Sequence, residues 1–167
     1  MPHPISLLGA IHTLISLVPL IVGAYAFARY AQIDPSKRSG QIYLAGTALA
    51  VITAFGVSST GGINPGHIFG IVVLVIALGG AWASKLNFLG RSRPYLSTFA
   101  LSFSYLLSLV PGTNETLTRL PVSHPLADGP TSPVVQMTLL AWLVVFVVGF
   151  TLQCWLIRSR NKAMAAG

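Results

Sequence analysis

Charge is the scarcest ingredient of this sequence. Lys, Arg, Asp and Glu together make up 8% of its 167 residues, and Asp and Glu supply only three of them. A soluble domain carries about 25% charged residues. So few charges cannot cover a water-facing surface on a chain of this size. A soluble enzyme, a disordered tail and a nucleic-acid module are therefore excluded. Cysteine is nearly absent as well. Cys154 stands alone, which rules out an internal disulfide, a cysteine-based metal cage and covalently attached haem. No His-Glu-x-x-His and no Gly-x-Ser-x-Gly occurs, so hydrolysis has no recognisable machinery. No acid interrupts an apolar run, which argues against a proton-coupled pump.

What the chain has instead is apolar length. Hydrophobic residues account for 53%. A membrane helix needs roughly 20 of them in succession, because the hydrocarbon core is about 30 Å thick. The stretches between ionised residues act as a ruler. The stretch 39–84 is too long for one span and is divided by the turn run Ser58-Ser59-Thr60-Gly61-Gly62-Ile63-Asn64-Pro65-Gly66. Spans are expected at about 6–28, 41–58, 66–84, 95–111 and 134–157. The predicted fold is an all-α integral membrane protein, a single domain over 1–167 with five transmembrane helices. The first span could pass for a signal peptide, since Ala24-Tyr25-Ala26 offers a small-x-small pattern. No Lys or Arg precedes it and it is too long, so a retained helix is expected.

Five spans sort the charges. Arg29, Lys37, Arg38, Lys85, Arg91, Arg93, Arg158, Arg160 and Lys162 fall on one side, and only Arg119 on the other. Positive residues stay cytoplasmic, which places the N-terminus outside and the C-terminus inside a plasma (inner) membrane. The net charge of +7 is thus a topology signal and needs no nucleic acid. The outer loop between helices four and five, 112–133, follows Pro111 and contains Pro121, Pro125, Pro130 and Pro133. These prolines favour a folded-back cap over a long helix. Asn114-Glu115-Thr116 is a glycosylation triplet on that side.

Aligned to itself at an offset of 55, the chain matches His12 with His67 and Ala26-Phe27-Ala28 with Ala81-Trp82-Ala83. Helices one and three run the same way, so this reads as a parallel repeat. The aromatic residues suit the inner interface. Fifteen residues of helix rise about 22 Å, which sets both histidines at similar depth near the outer surface. Ionisable residues at such depth usually face a bundle interior. His12 shares a helical face with Ser16, Pro19 and Gly23, and His67 with Gly70, Ala77 and Ala81. Such small stripes let helices pack closely or make room for a flat group.

The candidate site is therefore an outer cluster of His12, His67, Glu115 and Arg119, with Asn64, Thr60 and His124 beside it and His3 on the same side. Two imidazoles on neighbouring helices can be the axial ligands of haem b, with Arg119 pairing a propionate. Alternatively His12, His67, His124 and Glu115 hold one copper or zinc ion. The bland alternative is a pair of histidines hydrogen-bonded to serines and carbonyls. His12 in helix one, the basic inner loop and Ser39-Gly40-Gln41-Ile42-Tyr43 opening helix two resemble a group of small bacterial polytopic membrane proteins, over about residues 9–84. The group is similar to b-type membrane cytochromes in its intrahelical histidines. Dihaem cytochromes carry histidines in both leaflets. Here the inner side has none, so the resemblance implies one haem at most. The expected function is cofactor or metal binding, haem b first, in membrane electron transfer. The alternative is a cofactor-free accessory or assembly subunit. Expected partners are the lipid bilayer, other membrane subunits or further copies of the chain. The Val134–Phe150 face suits lipid and a partner helix equally.

Overall fold

The apolar runs fold as helices because a helix pairs its backbone internally, and the turn residues between them end each one. A computed structural model of the chain describes residues 7–57 and 62–166. Five helices follow in order: α1 Leu7–Tyr30, α2 Arg38–Ala54, α3 Pro65–Ala83, α4 Arg93–Arg119 and α5 Pro133–Ala166. Short 3-10 turns over Phe55–Val57 and Asn87–Ser92 extend α2 and precede α4. All five elements, counted with these turns, are long and apolar enough to cross a membrane.

Consecutive helices pack as antiparallel neighbours, α4 returns beside α1, and α5 lies chiefly against α4. The helix bounds put Arg29, Lys37, Arg38, Lys85, Arg91, Arg93, Arg158, Arg160 and Lys162 at one end of the bundle. The opposite end carries Arg119 and the cap.

Glycine and proline set the closeness of α1 and α2. Gly46 sits against the Pro19 ring, and Gly23 against the rings of Tyr105 and Tyr43. Across the bundle Gly80 admits Ala100 and Leu101 of α4. The core between them is hydroxylated. Tyr43 is fully buried and donates to Ser104 Oγ at 2.8 Å, because the Ser104 hydroxyl is itself committed to the Leu101 carbonyl at 2.9 Å. Tyr105 donates to the Leu20 carbonyl at 3.0 Å. On α5 the buried amide of Gln153 accepts from Ser102 at 3.0 Å and donates to the Ala31 carbonyl at 2.7 Å. One side chain thus ties α5 to both α4 and the end of α1. Elsewhere α5 meets α4 ring to ring: Phe99 lies edge-on to Phe146 and Phe150, and Phe103 is tilted against Phe146.

The fourth helix runs further than the proline pattern predicts. It continues through Pro111 to Arg119, so the first eight residues of the expected loop 112–133 are helical. Proline removes one N–H and crowds the preceding turn. The turns beyond it are held by other means: Thr116 and Thr118 donate back to the Gly112 and Asn114 carbonyls at 2.7 Å each, and Glu115 pairs with Arg119. The shorter cap then folds back on α4, where Ala127 N–H reaches the Leu117 carbonyl at 3.0 Å and Ala127 is buried.

Candidate functional site

His12 lies in the second turn of α1, half-buried. Its Nδ1 stands 3.0 Å from Thr53 Oγ1. The Thr53 hydroxyl hydrogen is directed to the Leu49 and Ala50 carbonyls, at 2.8 and 3.1 Å. The oxygen therefore accepts, and His12 Nδ1 carries the proton. His12 Nε2 faces Ser16 Oγ at 3.4 Å, but that hydroxyl donates to the His12 carbonyl at 2.8 Å. Nε2 thus keeps a lone pair that no strong donor occupies.

His67 is built differently. Asn64 is the N-cap of α3, followed by Pro65 at the first helical position, where its missing N–H costs nothing. The Asn64 side chain accepts from His67 N–H at 3.1 Å, and Asn64 N–H donates to His67 Nδ1 at 3.2 Å. This is a capping box with an imidazole where Glu or Gln usually stands. His67 Nε2 then donates to the carbonyl of Ala54 at 3.0 Å, at the end of α2, where a helix leaves carbonyls without an internal partner. The Phe55 ring stacks on the imidazole at 4.6 Å and 15°. His67 is 5% exposed, and neither of its nitrogens is free to ligate.

The two histidines reach adjacent residues, Thr53 and Ala54, which differ in height by about 1.5 Å along α2. They meet α2; no hydrogen bond joins one imidazole to the other among the described residues. Glu115 and Arg119 form an ion pair on the last turns of α4, both side chains more than half exposed. His124 is exposed in the cap. Asn64 caps α3. His3 and Thr60 lie outside the described residues. Among the described residues, no three His, Cys, Asp or Glu side chains gather as a metal site would require.

Haem b held by His12 and His67 does not fit this geometry. To ligate through Nε2, His67 would have to give up the Ala54 carbonyl and, with its proton moved to Nδ1, the bond from Asn64 N–H; Arg119 already has a carboxylate partner. The notch on the His12 face, at Gly23, is filled by the ring of Tyr105. The sequence pattern gives no role to Gln153 or Tyr105, and Tyr43 enters it only within the run that opens helix two. A lone amide in a long apolar helix was the available signal for Gln153. Comparison with protein-family models, with curated proteins and with solved structures finds no match for the chain.

Proposed function

We propose that the chain is a five-span integral membrane protein, its N-terminus outside and its C-terminus in the cytoplasm, that serves as a cofactor-free accessory or assembly subunit of a larger membrane complex. The orientation rests on the nine basic residues gathered at one end of the bundle. The accessory role rests on α5. It buries the smallest share of its apolar window, 11% against 28% for α3 and α4. Its outward stripe Met137, Leu140, Val144, Val148 and Trp155 is exposed throughout and follows helical spacing. A second reading, a metal ion at His12, is favoured by the Nε2 lone pair that no strong donor occupies.

Topology is checked with single cysteines in a Cys154→Ser background. An impermeant outer reagent is expected to label Val122→Cys and to spare Asn87→Cys; the reverse pattern overturns the orientation. The accessory role is checked by native electrophoresis of membranes in mild detergent. The chain is expected to migrate in a heteromeric complex far above its own 17.7 kDa. Val144→Trp with Val148→Trp keeps the face apolar for lipid but blocks close helix contact, and should release the chain while it stays in the membrane. Wild-type chain migrating alone, or only with copies of itself, overturns the role.

A further inference from the structure

An apolar trough of about 310 Å³ runs between α1, α4 and α5. Its walls include Phe27, Tyr105, Leu109, Trp142, Phe146 and Phe150. Gly149 lines it too, and a Cβ there would meet no atom within 4 Å. The Gln153 bond to Ala31 fixes α5 beside α1 at the basic end, and the phenylalanine cluster holds it against α4, which leaves the space between.

At the basic end Phe27 and Ala31 line both the trough and a neighbouring polar vestibule of about 580 Å³. Arg29 of α1, Lys37 before α2 and Arg160 of α5 line the vestibule. Among the described residues Asp34 is the only acid lining it, and its Oδ1 accepts from Ser36 N–H and Oγ at 2.9 and 2.6 Å. None of the three cations has a carboxylate partner; the single ion pair among the described residues is Arg119 with Glu115. Arg29 and Lys37 instead rest on the Tyr30 ring, 5.6 and 4.7 Å from its centre. Three separate stretches of chain thus bring unpaired positive charge to the mouth of a carbon-lined trough.

We propose that the trough and vestibule together bind one anionic phospholipid of the cytoplasmic leaflet. Its phosphate lies among Arg29, Lys37 and Arg160, and one acyl chain follows the trough. From Trp142 to Leu156 the helix rises about 21 Å, more than the roughly 15 Å of one leaflet's hydrocarbon. A chain reaching from the headgroup to the midplane is accommodated. A water-soluble anion would use the vestibule and leave the trough empty. A zwitterionic headgroup would bring its ammonium to three cations. Basic pockets between helices on the cytoplasmic side are a known form of anionic headgroup site. The inference rests on the membrane-spanning reading above and is independent of the accessory role.

Native mass spectrometry of the full-length protein in detergent tests it, with phosphatidylglycerol and phosphatidylcholine of matched chains as probes. Phosphatidylglycerol is expected to bind preferentially. Arg29→Gln, Lys37→Gln and Arg160→Gln combined should weaken it roughly tenfold or more, whereas Lys85→Gln with Arg91→Gln, on the same face but outside the vestibule, should leave it unchanged. Gly149→Leu, which fills the trough and favours helix, should lower retention of both lipids without changing helicity. Equal binding of the two lipids, equal loss in both charge variants, or full retention in Gly149→Leu overturns the site. Alkaline carbonate extraction of the same variants separates this failure from the other: release from the membrane pellet overturns the membrane reading itself, while retention without preferential binding overturns only the lipid site.

Discussion

His67→Ala is expected to lower the stability of the purified protein by about 2–4 kcal/mol, and His67→Gln to restore most of that loss. The alanine leaves Asn64 N–H and the Ala54 carbonyl without their side-chain partner. Losing a helix cap costs about 1 kcal/mol, and a buried polar group left unsatisfied adds about 1–3. The stacked contact with Phe55 goes as well. Glutamine is a natural third residue of a capping box: its carbonyl can accept from Asn64, and its amide can donate toward Ala54. A histidine that ligates iron makes the opposite forecast, since glutamine replaces an imidazole poorly and both variants would lose the cofactor alike. Thermal unfolding followed by circular dichroism in detergent gives the stability order. The absorption spectrum of the same wild-type sample is expected to lack a Soret band, and metal analysis to find no stoichiometric copper or zinc. A Soret band abolished equally by alanine and glutamine would restore the haem site; a bound metal lost with His12→Ala would select the second reading.

The number and place of the helices were legible because each is an apolar run closed by charges or by turn residues, and such runs have few alternatives. The small stripe on the His12 face was legible too: Pro19 and Gly23 mark close approaches. What filled those approaches was not. Tyr105 reaches Leu20 across 85 residues, and no periodicity announces a contact of that range. His67 stood out as an ionisable group at the start of an apolar run, yet its role follows from the spacing Asn64-Pro65-Gly66-His67, a capping-box spacing hidden by the unusual residue at its fourth place. The reach of α4 past Pro111 was not legible, because threonine back-bonds and the Glu115–Arg119 pair continue the helix where the prolines signalled its end. The trough could not be read from sequence at all. It exists because Gln153 and four phenylalanines fix how α5 leans, and those contacts join three helices.

Gly23→Val is expected to cost about 3 kcal/mol, and Tyr105 is the reason. A Cβ at position 23 would stand 2.5 Å from the Tyr105 ring and 3.4 Å from that of Tyr43, so valine cannot enter while the ring stays. Overpacking the notch costs about 1–3 kcal/mol, and displacing the ring adds the Tyr105 bond to the Leu20 carbonyl, about 1 kcal/mol. Tyr105→Ala alone should cost about 3 kcal/mol by opening a cavity. The two together should cost clearly less than their sum, because valine occupies part of the space that the ring vacates. The coupling should be on the order of 1–3 kcal/mol, the range of directly contacting pairs. Thermal unfolding of the four proteins in one detergent measures it. Strict additivity would mean that the ring does not occupy the notch, and the space on the His12 face would again be open to a flat ligand. Strong coupling would mean that the chain fills this notch with its own aromatic ring and leaves no room there for a porphyrin.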